Sequence, residues 1–262
     1  MKNLFFILLL CSFCFGQQKR YRATYELTRS KNNFKFTAQG VTDFDSDKKV
    51  SVFKLSQYDN LLKNGKKIFD KEENDSIVVL GSNSICLDNK TYFFDFKSNE
   101  STFLLFNVNC KSRVLINEKI FYPKWEIKDE FKTISGYKTQ KATAFINDRT
   151  WTVYFTKEIK QNIAPWRLIG LPGTIIEAYE NTSVYSFKLE KIENISDNIN
   201  IEAPKYKVKS SFVDFVDKSV KQNKEEMIFK LSQIEDAIID ETDINMFPLY
   251  ETLDFIEKRA KK

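Results

Sequence analysis

The sequence predicts a mainly β protein whose helices are confined to its C-terminal region. Three observations carry that reading. β-branched and aromatic residues alternate with polar ones in short runs through most of the chain. Those runs return at roughly ten-residue intervals with Asn, Asp, Gly or Ser clusters between them, as in an open sheet, a sandwich or a barrel. Past Pro204 the apolar residues switch to a spacing of three to four, the mark of an amphipathic helix.

The chain opens with Met1-Lys2-Asn3, an apolar run over residues 4–15 broken only by Ser12, and then Gly16-Gln17-Gln18-Lys19-Arg20. A basic start, a short apolar core and a small residue before a polar stretch predict a signal peptide over residues 1–16. The run is shorter than the roughly 20 apolar residues a membrane-spanning helix needs. Leu10 and Phe13 precede Cys11 and Cys14 where a lipid-attachment signal wants a small residue, so a soluble exported protein is expected. The rest, residues 17–262, reads as one domain, because no Pro/Gly/Ser-rich linker or composition shift divides it. It keeps Cys86 and Cys110, either joined in a disulfide in an oxidising compartment or buried as two thiols.

Strands are expected at residues 21–28, 34–38 and 50–55, with a turn at Ser46-Asp47-Lys48-Lys49 and another at Asn64-Gly65. The pattern continues through residues 77–80, 84–87, 91–96, 102–108 and 113–116. Asn147-Asp148 fits a two-residue hairpin turn, since both tolerate a left-handed backbone. That hairpin puts Trp151, Val153 and Phe155 on one face and Thr150, Thr152, Tyr154 and Thr156 on the other. A second hairpin turns at Asn181-Thr182-Ser183. The helical region covers about residues 210–262, with Ser210 or Ser211 as cap, an interruption near Gln222-Asn223 and a last short helix over residues 249–258.

Between the two hairpins, residues 151–176 hold two of three tryptophans, two of five prolines and two of seven glycines. Pro172-Gly173 matches the corners of a type II turn, with Gly173 at positive φ. Arg149 either stacks on an aromatic ring or meets a partner's carboxylate, or else fixes the hairpin through an internal ion pair. Trp151 and Trp166 either line an apolar pocket or fill the core. Gly170, Pro172 and Gly173 are expected to serve backbone geometry.

The chemistry the composition excludes is broad. The chain has no histidine, which removes Ser-His-Asp and Cys-His nucleophilic machinery and the commonest transition-metal ligand. It has no metal-spaced cysteine cluster, no phosphate-binding glycine loop and no dinucleotide fingerprint. Neither a catalytic residue nor a cofactor or metal is therefore assigned. The formal charge is +5, and +4 once the signal takes Lys2 with it, spread along the chain without the basic face that nucleic-acid binding requires.

Taken together, Trp125-Glu126-Ile127, Ile134-Ser135-Gly136-Tyr137, Lys141-Ala142-Thr143, Phe145, Arg149-Thr150-Trp151, Tyr154, Thr156-Lys157-Glu158-Ile159, Pro165-Trp166 and Gly170-Leu171-Pro172-Gly173 resemble the GLPGLI family of exported Bacteroidota proteins. The match covers about residues 120–195. Thr174 replaces the leucine that names the family, and Thr139 stands where cysteine is frequent. The family has no assigned activity, and its members are often encoded near outer-membrane TonB-dependent receptors. The resemblance implies a curved antiparallel half-barrel like those of periplasmic lipoprotein carriers, with Gly136, Pro165, Gly170, Leu171, Pro172 and Gly173 as structural motif residues.

The function expected from these readings is that of a noncatalytic periplasmic protein. Its sheet groove, partly covered by helices, holds an apolar ligand or a partner's protein segment, with Arg149, Trp151 and Trp166 as candidate contacts. An accessory protein of an outer-membrane receptor and a carboxylate hydrolase are the alternatives. Cell-surface or secreted location is the alternative to the periplasm.

Overall fold

Two runs of sequential antiparallel strands make the sheet, and their first and last strands join them. In a computed structural model the described residues are 20–31, 34–56, 90–106, 113–147, 149–196 and 198–233. The first run comprises β1 (Arg20–Lys31), β2 (Phe34–Asp45), β3 (Val50–Ser56), β4 (Lys90–Asp95), β5 (Glu100–Phe106) and β6 (Arg113–Lys119). The second comprises β7 (Glu126–Ile134), β8 (Tyr137–Ile146), β9 (Arg149–Thr156), β10 (Thr174–Glu180) and β11 (Tyr185–Asn194). Antiparallel pairing of β1 with β11 merges them, and the two-residue β12 (Lys209–Ser210) adds in parallel beside β6. Among the described residues the result is one open, curved sheet of twelve strands, ordered β12-β6-β5-β4-β3-β2-β1-β11-β10-β9-β8-β7.

Local chemistry sets the turns. Ser135 and Gly136 both take positive φ between the paired Ile134 and Tyr137, a two-residue hairpin turn whose twist matches the strands. Asn147 takes φ 49° between the paired Ile146 and Arg149, where the hairpin was expected. Asp45 and Asp95 repeat one device. Each accepts backbone N–H bonds from the residues two and three ahead, at 3.0 and 2.8 Å for Asp45 and at 2.9 and 3.2 Å for Asp95.

Strand alternation then sorts the faces. Tyr25, Phe53, Tyr92, Phe103, Trp151, Val153, Phe155 and Phe187 are buried in one continuous core on the concave face. On the convex face a smaller cluster of Val50, Val52 and Phe93 is covered by Ile195 and Ile201. Ile195 and residues 198–203 lie there, held where Arg20 donates to Ile199 O at 3.1 Å. The cross-strand pairs Arg20–Asp45 and Arg22–Asp43, at 2.8 and 2.7 Å, tie β1 to β2.

The helix α1 (Phe212–Leu231) follows β12 and starts at Ser211, whose Oγ accepts the Asp214 N–H at 3.0 Å. It runs unbroken past Gln222-Asn223, against the expected interruption. Asn is only a mild helix breaker, and its propensity is a weak prior. No helix among the described residues is long and apolar enough to cross a membrane. The expected signal peptide, Asn64-Gly65, the strands at residues 77–80 and 84–87, Cys86, Cys110 and the helix at residues 249–258 lie outside the described residues.

Candidate functional site

The concave face of the sheet is occupied by the chain itself. Residues 157–173, between β9 and β10, cross it, and Ile163, Ala164, Trp166, Leu168, Ile169 and Leu171 are all buried there. Irregular backbone inside a core must find hydrogen-bond partners. Thr42 Oγ1 donates to Ala164 O at 2.9 Å, Trp125 Nε1 to Ile169 O at 2.8 Å, and the Ile175 N–H to Ile163 O at 2.9 Å. Tyr25 Oη donates to Ile175 O at 3.1 Å, and burial pushes that phenol's pKa up. Trp166 sits at φ 51° in the turn that Pro165 opens, and its ring lies 5.5 Å from that of Trp151. Positive φ is strained for so bulky a residue, and the ring packing holds it.

Arg167 is the one charge in the buried run from Ile163 to Ile169, so its guanidinium needs a partner where it lands. It reaches Glu118 of β6 at 2.7 Å and lies 4.8 Å from the centroid of the Phe103 ring and 5.2 Å from that of Phe212. The crossing, the first arm of the sheet and the start of α1 are thereby joined at one point. Around it opens a cleft of about 230 Å³ lined by Glu118, Lys119, Phe121, Asn147, Arg167 and Phe212. Asn147 belongs to the β8–β9 turn, so the cleft lies where the two arms of the curved sheet approach each other.

Burial, the largest influence, pushes the Glu118 carboxyl above its ordinary pKa, against the opposing pull of Arg167. Among the described lining residues it is the one carboxylate, and the buried Ser101 across the β5–β6 ladder donates its hydroxyl to the Glu118 backbone oxygen at 3.2 Å. Lys119, at the rim, pairs with Glu100 at 3.1 Å, both side chains being well exposed. Phe121 is 50% exposed, and its neighbour Tyr122 is 44% exposed. The arrangement offers cations and aromatic walls for binding.

The residues singled out in the sequence lie elsewhere. Arg149, Trp151 and Trp166 are fully buried, Arg149 with its guanidinium 5.1 Å from the Tyr185 ring. The structure brings the two tryptophans together, with Trp151 also stacked on Phe187, and gives none of the three a surface. Gly136 and Gly170 take positive φ, whereas Gly173 does not. The expected type II turn is replaced by a close approach: a Cβ on Gly173 meets Thr156 O at 2.2 Å. Pro165 and Leu171 are buried in the crossing, and Pro172 is exposed beside them. Sequence reasoning misses Glu118, Arg167 and Phe121 as site residues and reads Phe212 only as part of the apolar stripe of the C-terminal helix. The signal that marks Arg167 is a lone charge inside an apolar run, since such a charge requires a buried partner.

The family described as N-glycanase peptide, N-terminal domain, matches residues 87–216, just short of half the chain. Among solved structures, PNGF-II in the P21 space group is similar at 17% identity and a TM-score of 0.49, covering 78% of this chain and 34% of that one. PNGF-II in the C2 space group is similar at 16% identity and a TM-score of 0.48, covering 78% and 33%. The chain thus spans about a third of the PNGF-II chains it resembles. No curated protein matches it by sequence.

Proposed function

We propose that this protein is an exported, noncatalytic recognition module that grips a segment of a partner protein at the cleft between the arms of its sheet. The observation that carries this reading is the size of the cleft against the filling of the groove. Pockets that enclose a drug-sized ligand run from about 300 to 1,000 Å³. The cleft has about 230 Å³, and the concave face behind it is packed with residues 157–173. A space of that size suits one anchoring side chain of a protein partner, the usual unit of interface energy. Phe121, half exposed in its lining, supports the same reading. Export, the GLPGLI resemblance and a place beside an outer-membrane receptor are consistent with it. The match to an N-terminal domain favours a second reading, a module that serves an N-glycan-directed enzyme; its partner is then that enzyme.

Site-specific photocrosslinking tests the proposal. A benzophenone amino acid at Phe121 is expected to capture a discrete envelope protein, while the same group at the exposed Lys188 of β11 captures none. Equal capture from both positions, or a lipid that copurifies with the mature protein at one-to-one stoichiometry, refutes it.

A further inference from the structure

A cation without a counter-charge lies at the end of the sheet where β10 turns into β11. Arg29 of β1 stands directly opposite Tyr185 of β11, so the two side chains share a face of the sheet. Alternation makes it the concave face, since Tyr25 and Leu27 before Arg29 and Phe187 after Tyr185 all belong to the core there. The Arg29 guanidinium carbon lies 5.8 Å from the Tyr185 ring centroid, and that of the fully buried Arg149 lies 5.1 Å from the same centroid. Two cations thus share one ring.

Glu180, on the strand between them, does not supply the missing charge to Arg29. Its carboxylate caps the turn that follows it, accepting the N–H groups of Thr182 and Val184 at 2.6 Å each and of Tyr185 at 2.9 Å. The Thr182 hydroxyl donates to it as well, at 2.7 Å. A carboxylate offers about four acceptor positions, so the turn takes them up. Among the described residues Arg29 makes no hydrogen bond or ion pair, and its Nε is sealed from solvent without an acceptor. A charged donor in that setting calls for a partner. What solvent reaches of the guanidinium of this half-buried residue is its outer edge, Nη1 and Nη2.

We propose that Arg29 holds an oxyanion, a carboxylate or a phosphate group of a ligand, end-on at Nη1 and Nη2. The outer edge of a guanidinium presents two parallel N–H bonds that match the oxygens of either group. The Tyr185 ring and the sealed Nε keep this fork in place, and Arg149 adds a second positive charge that its burial protects from screening. A basic ligand meets two cations here, so the corner selects anions. It uses none of the residues that line the cleft.

Thermal unfolding of the mature protein in phosphate, acetate and chloride at one ionic strength tests this. A ligand that binds only the folded state raises the midpoint progressively with concentration. Phosphate also strengthens burial in general, so the difference between wild type and Arg29→Gln is what reads the site. Arg29→Gln is expected to weaken the apparent dissociation constant about 10-fold, the strength of a charge-assisted hydrogen bond converted to affinity. Arg29→Lys keeps the charge without the fork and is expected to fall between the two. Both variants should keep the wild-type midpoint in chloride, because Arg29 has no ion pair to lose among the described residues. The two probes separate the sources of the charge: a lower saturating concentration for acetate assigns the site to carboxylates, and for phosphate to phosphate groups. Equal wild-type midpoints in the three salts overturn the proposal, whether or not a variant folds. So does a phosphate or acetate effect that survives Arg29→Gln and Arg29→Lys undiminished. Neither variant should alter the crosslink from position 121, so the oxyanion site and the recognition reading fail separately.

Discussion

Gly173→Ala is the sharpest test of how the crossing is held. An added Cβ at this position sits 2.2 Å from Thr156 O, 2.8 Å from Thr156 C and 3.1 Å from Phe155 Cδ2. Two of the three atoms belong to the β9 backbone, so no side chain can swing away. The clash falls next to the Thr174–Thr156 pair that opens the β10–β9 ladder. It also disturbs the Thr174 Oγ1 bond to Gln161 O at 2.6 Å and the Ile175 N–H bond to Ile163 O. Overpacking costs about 1–3 kcal/mol, and each weakened hydrogen bond adds about 1 kcal/mol. A loss of about 3 kcal/mol is expected, or roughly 6–12 °C in the unfolding midpoint for a domain of this length. Urea unfolding followed by tryptophan fluorescence measures it. Gly136→Ala is the control, since Gly136 has φ 85° with nothing within 4 Å of an added Cβ. It should cost about 1–2 kcal/mol by backbone conformation alone, with much of that recovered by Gly136→Asn, because Asn tolerates this region. If Gly173→Ala costs no more than Gly136→Ala, or if Gly173→Asn is rescued in the same way, the close-approach account is wrong and positive φ is restored.

Ser211→Ala removes the cap of α1 and should cost about 1 kcal/mol, visible as faster amide exchange in the first helical turn with the sheet unaffected. Two carboxylates should show opposite pH behaviour against their amide variants, measured by urea unfolding from about pH 2 to pH 8, a range that takes in the acid limb where Asp45 is protonated. Glu118 has a raised folded-state pKa, so its contribution is full below the unfolded value and is lost as pH rises through the folded one; the wild-type advantage over Glu118→Gln shrinks with pH. For Asp45 burial opposes ionisation, but the N–H bonds from Lys48 and Asp47 and the Arg20 guanidinium prevail and lower its pKa. Its contribution is present above the unfolded pKa and lost as pH falls, so the advantage over Asp45→Asn grows with pH. Replacing the ion pair by Arg167→Met with Glu118→Leu should leave stability within about 1 kcal/mol or raise it, whereas Glu118→Leu alone should cost about 3–5 kcal/mol by stranding the buried guanidinium.

Much of the sheet is legible in the sequence because its determinants are local. Alternation from Trp151 to Phe155 predicts the face each side chain takes, and Asn147-Asp148 predicts the turn before it. The β1–β11 pairing that unites the sheet has no such signal, since Tyr21 meets Asn194 across nearly the whole domain. The same limit explains Gly173. Its neighbour Pro172 makes a local turn signal, while the reason for glycine lies in the Thr156 carbonyl, which only the tertiary fold brings near. The tryptophans misdirect for a related cause. Trp, Pro and Gly cluster at sites and at tight crossings alike, and burial alone separates the two.

On the proposed reading a filled groove moves recognition from the groove to its mouth, and Arg167 is the residue that belongs to both. An apolar side chain at this position would pack against Phe103 and Phe212 without the desolvation cost of a guanidinium, and buried ion pairs are often replaceable without loss of stability. The crossing therefore does not need arginine to stay in place. What it adds is a link: the guanidinium meets Glu118 of β6 at 2.7 Å and lies 5.2 Å from the ring centroid of Phe212 at the start of α1, so one side chain joins the crossing to both. The paired replacement of Arg167 and Glu118 separates these roles, because a pair kept only for packing would be lost without effect on the crosslink from position 121. A pair kept for recognition loses that crosslink in a protein that remains fully folded.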